Sequence, residues 1–167
     1  MKLILIIALI LVTFVYLRYY LAFPKDISII QAGKAAFTPD LLFDKQPVLI
    51  DTKSDQPSMD LKSMLRYMYI YDSCNEFTKN TKTCTCAYSA IYSTKNDILV
   101  RIVHPSYSKQ NLQSNSIYGA YIEVMLKQGQ TIILPFMWTY ECNDIHSLHQ
   151  FWDISHNLAY AVRPFMP

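Results

Sequence analysis

The feature that most limits what this chain can fold into is its first segment. Residues Leu3 to Leu17, LILIIALILVTFVYL, are apolar except for Thr13, and the run continues through Arg18, Tyr19 and Tyr20 to Leu21, Ala22, Phe23 and Pro24. At about 1.5 Å per residue, a helix from Leu3 to Phe23 is about 30 Å long, which matches the hydrocarbon layer of a bilayer. Arg18 reaches the interface by snorkelling, and the tyrosines beside it suit that interface. A cleaved signal peptide would also begin with a basic residue, here Lys2, and an apolar core. Cleavage after Ala22, however, puts Tyr20 where a small side chain is needed. A core helix is the third reading. The expectation is an anchor over residues 1–23, a domain over 24–167, the lipid bilayer as partner of residues 3–23, and a single-pass membrane location. Lys2 on one side and Arg18 with Lys25 on the other leave the orientation open.

The composition agrees: 51% of residues are hydrophobic and 17% charged. Setting Lys2 and Arg18 aside leaves 13 basic residues against 13 acidic ones in the domain. That balance, with no basic cluster beyond Lys79 and Lys82, excludes nucleic acid as a partner. Three glycines, Gly33, Gly119 and Gly129, provide no phosphate-cradling loop, so nucleotide folds are excluded and no cofactor is indicated. Thirteen tyrosines suit a surface that contacts another protein, and they suit a β core equally well.

Four cysteines, Cys74, Cys84, Cys86 and Cys142, are too few to fix a framework. A bridge from Cys74 to Cys84 or Cys86 would close a loop of about ten residues and contribute about 2 to 3 kcal/mol in an oxidising compartment. No CxxC spacing suggests zinc.

Along the domain, Ile27 to Gln31 is a short β-like run. Thr38-Pro39-Asp40 then announces a brief helix, with a cap, a proline at the first position and an acid in the first turn. QPVLID, residues 46–51, is a short strand. Asp60 to Tyr71 carries Leu61, Met64, Leu65 and Met68 at helical spacing and is expected to be a helix packed on the core. From Thr83 onward the pattern is β. CTCAYSAIYS, the turn TKND and ILVRIVH suggest a hairpin with Ile98, Val100 and Ile102 on one face. IYGAYIEVML, the turn KQGQ and TIILPFMWTYE suggest a second hairpin, and SLHQFWDI a further strand. Many short strands with one or two short helices in front point to a mainly β domain, an antiparallel sandwich or barrel.

Within KQGQTIILPFMWTYECN, residues 127–143, Gly129, five mostly apolar residues, Pro135 and then Trp138 resemble the second motif of the cupin superfamily, and its Jumonji-like branch in particular. LFDKQPVLID, residues 42–51, is similar to the proline-centred strand found early in that branch. The resemblance covers about 40 residues near the C-terminus and ten near the front, and it implies a double-stranded β-helix, the cupin-like jelly roll. It also implies an iron site built from an HxD or HxE pair and a later histidine. None of His104, His146, His149 and His156 begins such a pair, and Tyr140 stands at the late ligand position. A neutral phenol is a poor ligand for ferrous iron. Trp138 and Tyr140 are therefore expected to fill the mouth of the barrel or to line a small-ligand or sugar pocket. Arg101 either points into that pocket or lies on the solvent face.

One cluster keeps metal chemistry open: on a helix, His146, His149, Asp153 and His156 would share one face and could serve a divergent metal-dependent oxygenase or hydrolase. On a strand, His146 and His149 point to opposite sides. The AT-rich residue bias and the anchored cupin-like organisation resemble proteins encoded by large DNA viruses, which implies a structural or interaction component of a virion membrane or capsid and no enzymatic activity.

Overall fold

Among the described residues there are ten short strands in two sheets and one long helix, and the assignment of strands to sheets follows from which side chains need cover on both faces. The structure, a computed structural model, describes residues 2–24, 27–51, 65, 69–71, 81–92, 96–107, 121–144, 146–153, 156 and 161. Helix α1 spans Lys2–Leu21. The strands are β1 (Ile30–Gly33), β2 (Val48–Asp51), β3 (Tyr69–Tyr71), β4 (Lys82–Thr83), β5 (Tyr88–Tyr92), β6 (Ile98–Val103), β7 (Ile122–Leu126), β8 (Gln130–Pro135), β9 (Thr139–Cys142) and β10 (Ser147–Trp152). Short 3-10 helices lie at Lys34–Ala36, Pro39–Leu42 and Pro105–Tyr107. The second begins with Pro39 at its first turn, as the sequence predicts, although the Thr38 side chain makes no capping hydrogen bond.

The six-stranded sheet runs β1-β2-β8-β5-β10-β3 and the four-stranded sheet β4-β9-β6-β7. All pairs are antiparallel except β1 with β2. The sheets face each other across one core: Ile91, Ile132, Leu134 and Leu148 from the first meet Ile98, Val100, Ile102, Val124, Leu126, Tyr140 and Cys142 from the second. A second apolar layer covers the far side of the six-stranded sheet, where Val48, Ile50, Ala90, Ile133 and Phe151 pack with Phe37, Leu42 and Leu65. Period-two alternation places Ile132 and Leu134 inward and Ile133 outward. A strand buried on both faces reads as a continuous apolar run, and β8 does.

This double cover corrects both expected hairpins. β5 pairs with β8 and β10, whereas β6 pairs with β7 and β9, so the chain crosses between sheets after β5. The KQGQ turn, with Gly129 at φ 80°, likewise carries the chain from β7 in one sheet to β8 in the other. The expected helix over Asp60–Tyr71 is corrected at its end, where residues 69–71 form β3 against β10. Leu65 is fully buried, and the remainder of that segment lies outside the described residues. The expected faces of β6 hold as far as Ile102: Ile98, Val100 and Ile102 are buried while Leu99 and Arg101 are half-exposed, but Val103, expected on the face of Leu99 and Arg101, is buried as well. Among the described residues, Cys84, Cys86 and Cys142 are buried free thiols. Cys84 joins the core, and the Cys86 thiol lies 3.1 Å from both the Ser89 hydroxyl and the Tyr88 carbonyl. Cys74 itself lies outside the described residues.

In α1, side chains are described as far as Arg18, and only Leu17 among them is buried. Counted over the described residues, no helix is long and apolar enough to cross a membrane.

Candidate functional site

The most elaborate side-chain constellation lies at the end of the sandwich where the chain arrives from α1. The turn between β8 and β9 sets Trp138 into the core with no exposed surface. Its indole Nε1–H donates to the Lys45 carbonyl at 3.0 Å. Lys45 stands at φ 54°, and Met137, next to the tryptophan, at φ 72°. Left-handed backbone at two non-glycine residues costs on the order of 1 kcal/mol each and persists only where surrounding contacts hold it. Here the conformation sends the Lys45 carbonyl to Trp138 and its ammonium the other way. Lys45 Nζ donates to the Ala22 carbonyl at 2.8 Å and lies 5.8 Å above the Phe23 ring. Carbonyls at a helix C-terminus lack intrahelical donors and favour a cation, so this contact closes the end of α1. Burial holds the Lys45 ammonium below the usual lysine range.

His104, just after β6, completes the node. Its ring meets Trp138 edge-on at 5.1 Å and Phe23 edge-on at 6.5 Å. The Ser106 backbone N–H donates to His104 Nδ1 at 3.2 Å. An acceptor Nδ1 leaves the proton of the neutral ring on Nε2, which is buried and meets no hydrogen-bond partner of good geometry among the described residues, although the nearby Pro24 carbonyl favours the proton. Burial lowers the His104 pKa despite this. Residues 22–24 are thus gripped by Lys45 and His104, both held in turn by Trp138. Lys45 and His104 carry no sequence signal of this role, because the contacts join residues 23 and 93 positions apart.

The iron site that the resemblance implies does not fit the residues present. Tyr140 is 2% exposed and packs with Cys84, Cys142 and Trp138 inside the main core. Burial, reinforced by the neighbouring thiols, drives its phenol pKa up, far from any ionised form. Cys142 is pushed up to about 12, first by burial and then by the Glu141 carboxylate. These groups are neutral and surrounded by aliphatic side chains. Arg101 lies on the outward face of β6, where its Nε donates to Glu123 Oε1 at 2.9 Å and its guanidinium covers Tyr121 at 5.6 Å. It takes no part in a pocket with Trp138 and Tyr140.

The histidine cluster is dispersed because strand β10 runs through its middle: His149 lies in the strand, His146 just before it, and Asp153 and His156 after it. His146 shares the inward parity of Leu148; its Nδ1–H donates to the Asp144 carbonyl at 3.2 Å and its ring meets Tyr140 edge-on at 6.0 Å. His149 shares the outward parity of Phe151, stacks on Tyr92 at 5.1 Å and shares a 2.6 Å hydrogen bond with its hydroxyl. His156 lies edge-on to Phe136 at 5.5 Å and against Tyr88 at 6.2 Å. Asp153 accepts the His156 backbone N–H through its carbonyl, not its carboxylate. Among the described residues, no group of three or more His, Cys, Asp or Glu is placed to hold a metal ion.

What these histidines do produce is a pH dependence of stability. Burial lowers the pKa of His104 and His146 and takes His156 down to about 4. A depressed histidine pKa means that the unfolded chain binds the proton more readily, so the stabilisation is complete above the unfolded value near 6.5 and is lost as pH falls toward 4. For His156 the loss is on the order of 2 kcal/mol after allowance for solvent screening. Urea midpoints of the chain should fall between pH 7 and pH 4.5, and His156→Gln should flatten that slope. An unchanged slope in the variant contradicts the assignment. Neither a protein-family model nor a curated protein matches the chain.

Proposed function

We propose that this chain is a single-pass membrane protein whose domain is a cupin-like jelly roll with a filled interior, acting by binding or assembly at a bilayer surface and not by catalysis. One observation carries the reading: α1 presents apolar side chains to its surroundings on every side. Between Leu3 and Tyr16 its large apolar residues are 51% to 72% exposed, with Ile4, Leu5, Ile6 and Ile7 all among them. A helix that packs on a globular core hides one face, and a helix apolar all round is stable in lipid. The polar side chain within that stretch is satisfied in place, since the Thr13 hydroxyl donates to the Leu9 carbonyl at 2.8 Å.

The jelly-roll assignment is supported by strand order. β3-β10-β5-β8 in one sheet and β4-β9-β6-β7 in the other is the order that two interleaved Greek keys produce when a chain winds between two sheets. β1 and β2 extend the first sheet. The assembly half of the reading is supported by the packing of Trp138 and Tyr140, which leaves apolar side chains where a cupin would gather ligands. A structural place in a virion membrane or beneath a capsid fits such an anchored, filled domain.

Metal analysis of the full chain, extracted into detergent without chelator, tests the reading. Far less than one ion per chain is expected, with or without added ferrous iron. A stoichiometric ion that is lost from a His146→Ala, His149→Ala double variant would restore the oxygenase or hydrolase alternative.

A further inference from the structure

The grip on residues 22–24 fixes where the bilayer surface meets the domain. α1 ends at Leu21, and the next carbonyl, that of Ala22, is already bonded to Lys45. The reach from helix to domain is therefore a single residue, and Lys45 and His104 both touch the residues that directly follow the helix. The turns around them carry large exposed rings. Phe43, two residues before Lys45, is 71% exposed, about as much as any side chain of α1, and Tyr107, three residues after His104, is 43% exposed. Phe43 directly follows the 3-10 helix Pro39–Leu42, whose Leu42 is buried in the layer beneath. The backbone N–H of Tyr107 donates to the His104 carbonyl at 2.9 Å. Both rings are thus mounted on short turns tied to the node.

We infer that this end of the sandwich is a membrane-contacting surface, with Phe43 and Tyr107 seated in the headgroup layer of the bilayer that α1 enters. The inference rests on the membrane reading of α1 and adds to it a docked face and an orientation of the domain. Three features favour a lipid interface as the occupant. The apolar surface of α1 runs directly into this face, with one residue between them. Aromatic rings are the side chains that favour the boundary between headgroups and acyl chains. Exposed Asp44 directly follows Phe43, so an acidic side chain borders the ring, as a polar headgroup layer requires. A bilayer's interfacial zone is several ångströms deep on each side, and Phe43 lies two residues of backbone from a lysine already in contact with the helix end.

The test uses the full chain in phosphatidylcholine vesicles, with the photoreactive residue p-benzoylphenylalanine placed at position 12, 43 or 125 in turn. Val12 and Phe43 are 66% and 71% exposed, and Met125, 55% exposed, lies on β7 near its far end, so none of the three replacements disturbs the core. Irradiation should add the mass of one phospholipid to the chain labelled at 12 and, in comparable yield, to the chain labelled at 43, with none above background at 125. Lipid adducts at 12 but not at 43 overturn the docked face and leave the anchor standing. Absence of adducts at 12 overturns the anchor and the docked face with it. Equal adducts at 43 and 125 also overturn the proposal, since they mean that the domain touches lipid without a preferred face.

Discussion

Trp138→Ala lowers the stability of the domain by about 3 to 5 kcal/mol, the range for deleting a large aromatic from a packed core. Three losses combine at this position. The indole has no exposed surface, so its removal leaves a cavity among Cys84, Tyr140 and Cys142. Its Nε1–H is the partner of the Lys45 carbonyl, whose left-handed backbone then loses one of the contacts that hold it. The edge-on contact to His104 disappears as well, and with it one side of the grip on Phe23. Trp138→Phe keeps most of the ring volume and forfeits chiefly the hydrogen bond, a cost of about 1 to 2 kcal/mol. Urea unfolding followed by far-ultraviolet circular dichroism, on the chain in detergent, measures both. A Trp138→Ala midpoint equal to that of the parent chain would mean that the node carries no weight in the fold.

The second large effect is expected in α1. Ile10→Lys combined with Phe14→Lys places two charges one turn apart near the middle of the apolar run, at side chains 63% and 52% exposed. Each charge costs about 2.5 to 3.5 kcal/mol at the centre of a bilayer, so the pair removes about 5 to 7 kcal/mol of insertion energy. That is a change of about four orders of magnitude in the membrane-bound ratio. On a flotation gradient the parent chain should rise with the vesicles and the double variant should stay in the dense fraction. Because neither side chain touches the β core, the urea midpoint of the domain should not move. A variant that still floats contradicts the placement of α1 in lipid, and one that stays down but has also unfolded would point instead to a helix packed on the globule.

How far the sequence anticipates this architecture depends on the range of the interactions involved. The inward face of β6 was legible because alternation is local: Ile98, Val100 and Ile102 stand two apart, and the sheet needs nothing else to bury them. The short 3-10 helix at Pro39 was legible for the same reason, since proline and its neighbours set that turn. Strand pairing was not. TKND and KQGQ are turn signals, and a turn can close a hairpin or carry the chain across to the opposite sheet with equal ease. What decides between them is that β5 and β8 are buried on both faces and need flanking strands distant in sequence. The helical spacing of Leu61, Met64, Leu65 and Met68 ran on into residues 69–71, but Tyr69-Ile70-Tyr71 is a β-favouring triplet, and pairing with β10 takes it.

The same logic applies to the site. The lack of an HxD or HxE pair and the presence of Tyr140 at the late position could be read directly, whereas the burial that raises the Tyr140 phenol pKa depends on side chains distant in sequence. The single helical face proposed for His146, His149, Asp153 and His156 is not formed, because Phe151 and Trp152 favour a strand that takes in His149 and leaves His146 before it and Asp153 and His156 after it. Lys45, His104 and Phe23 could not have been found from spacing, because their association depends on two left-handed residues and a tryptophan far along the chain.

The account stands on a helix that lives in lipid while the residues after it are locked to a β sandwich. Washing membranes that contain the unaltered chain with alkaline carbonate tests this most directly. The chain should remain in the pellet with the bilayer, and its release into the supernatant would contradict the account.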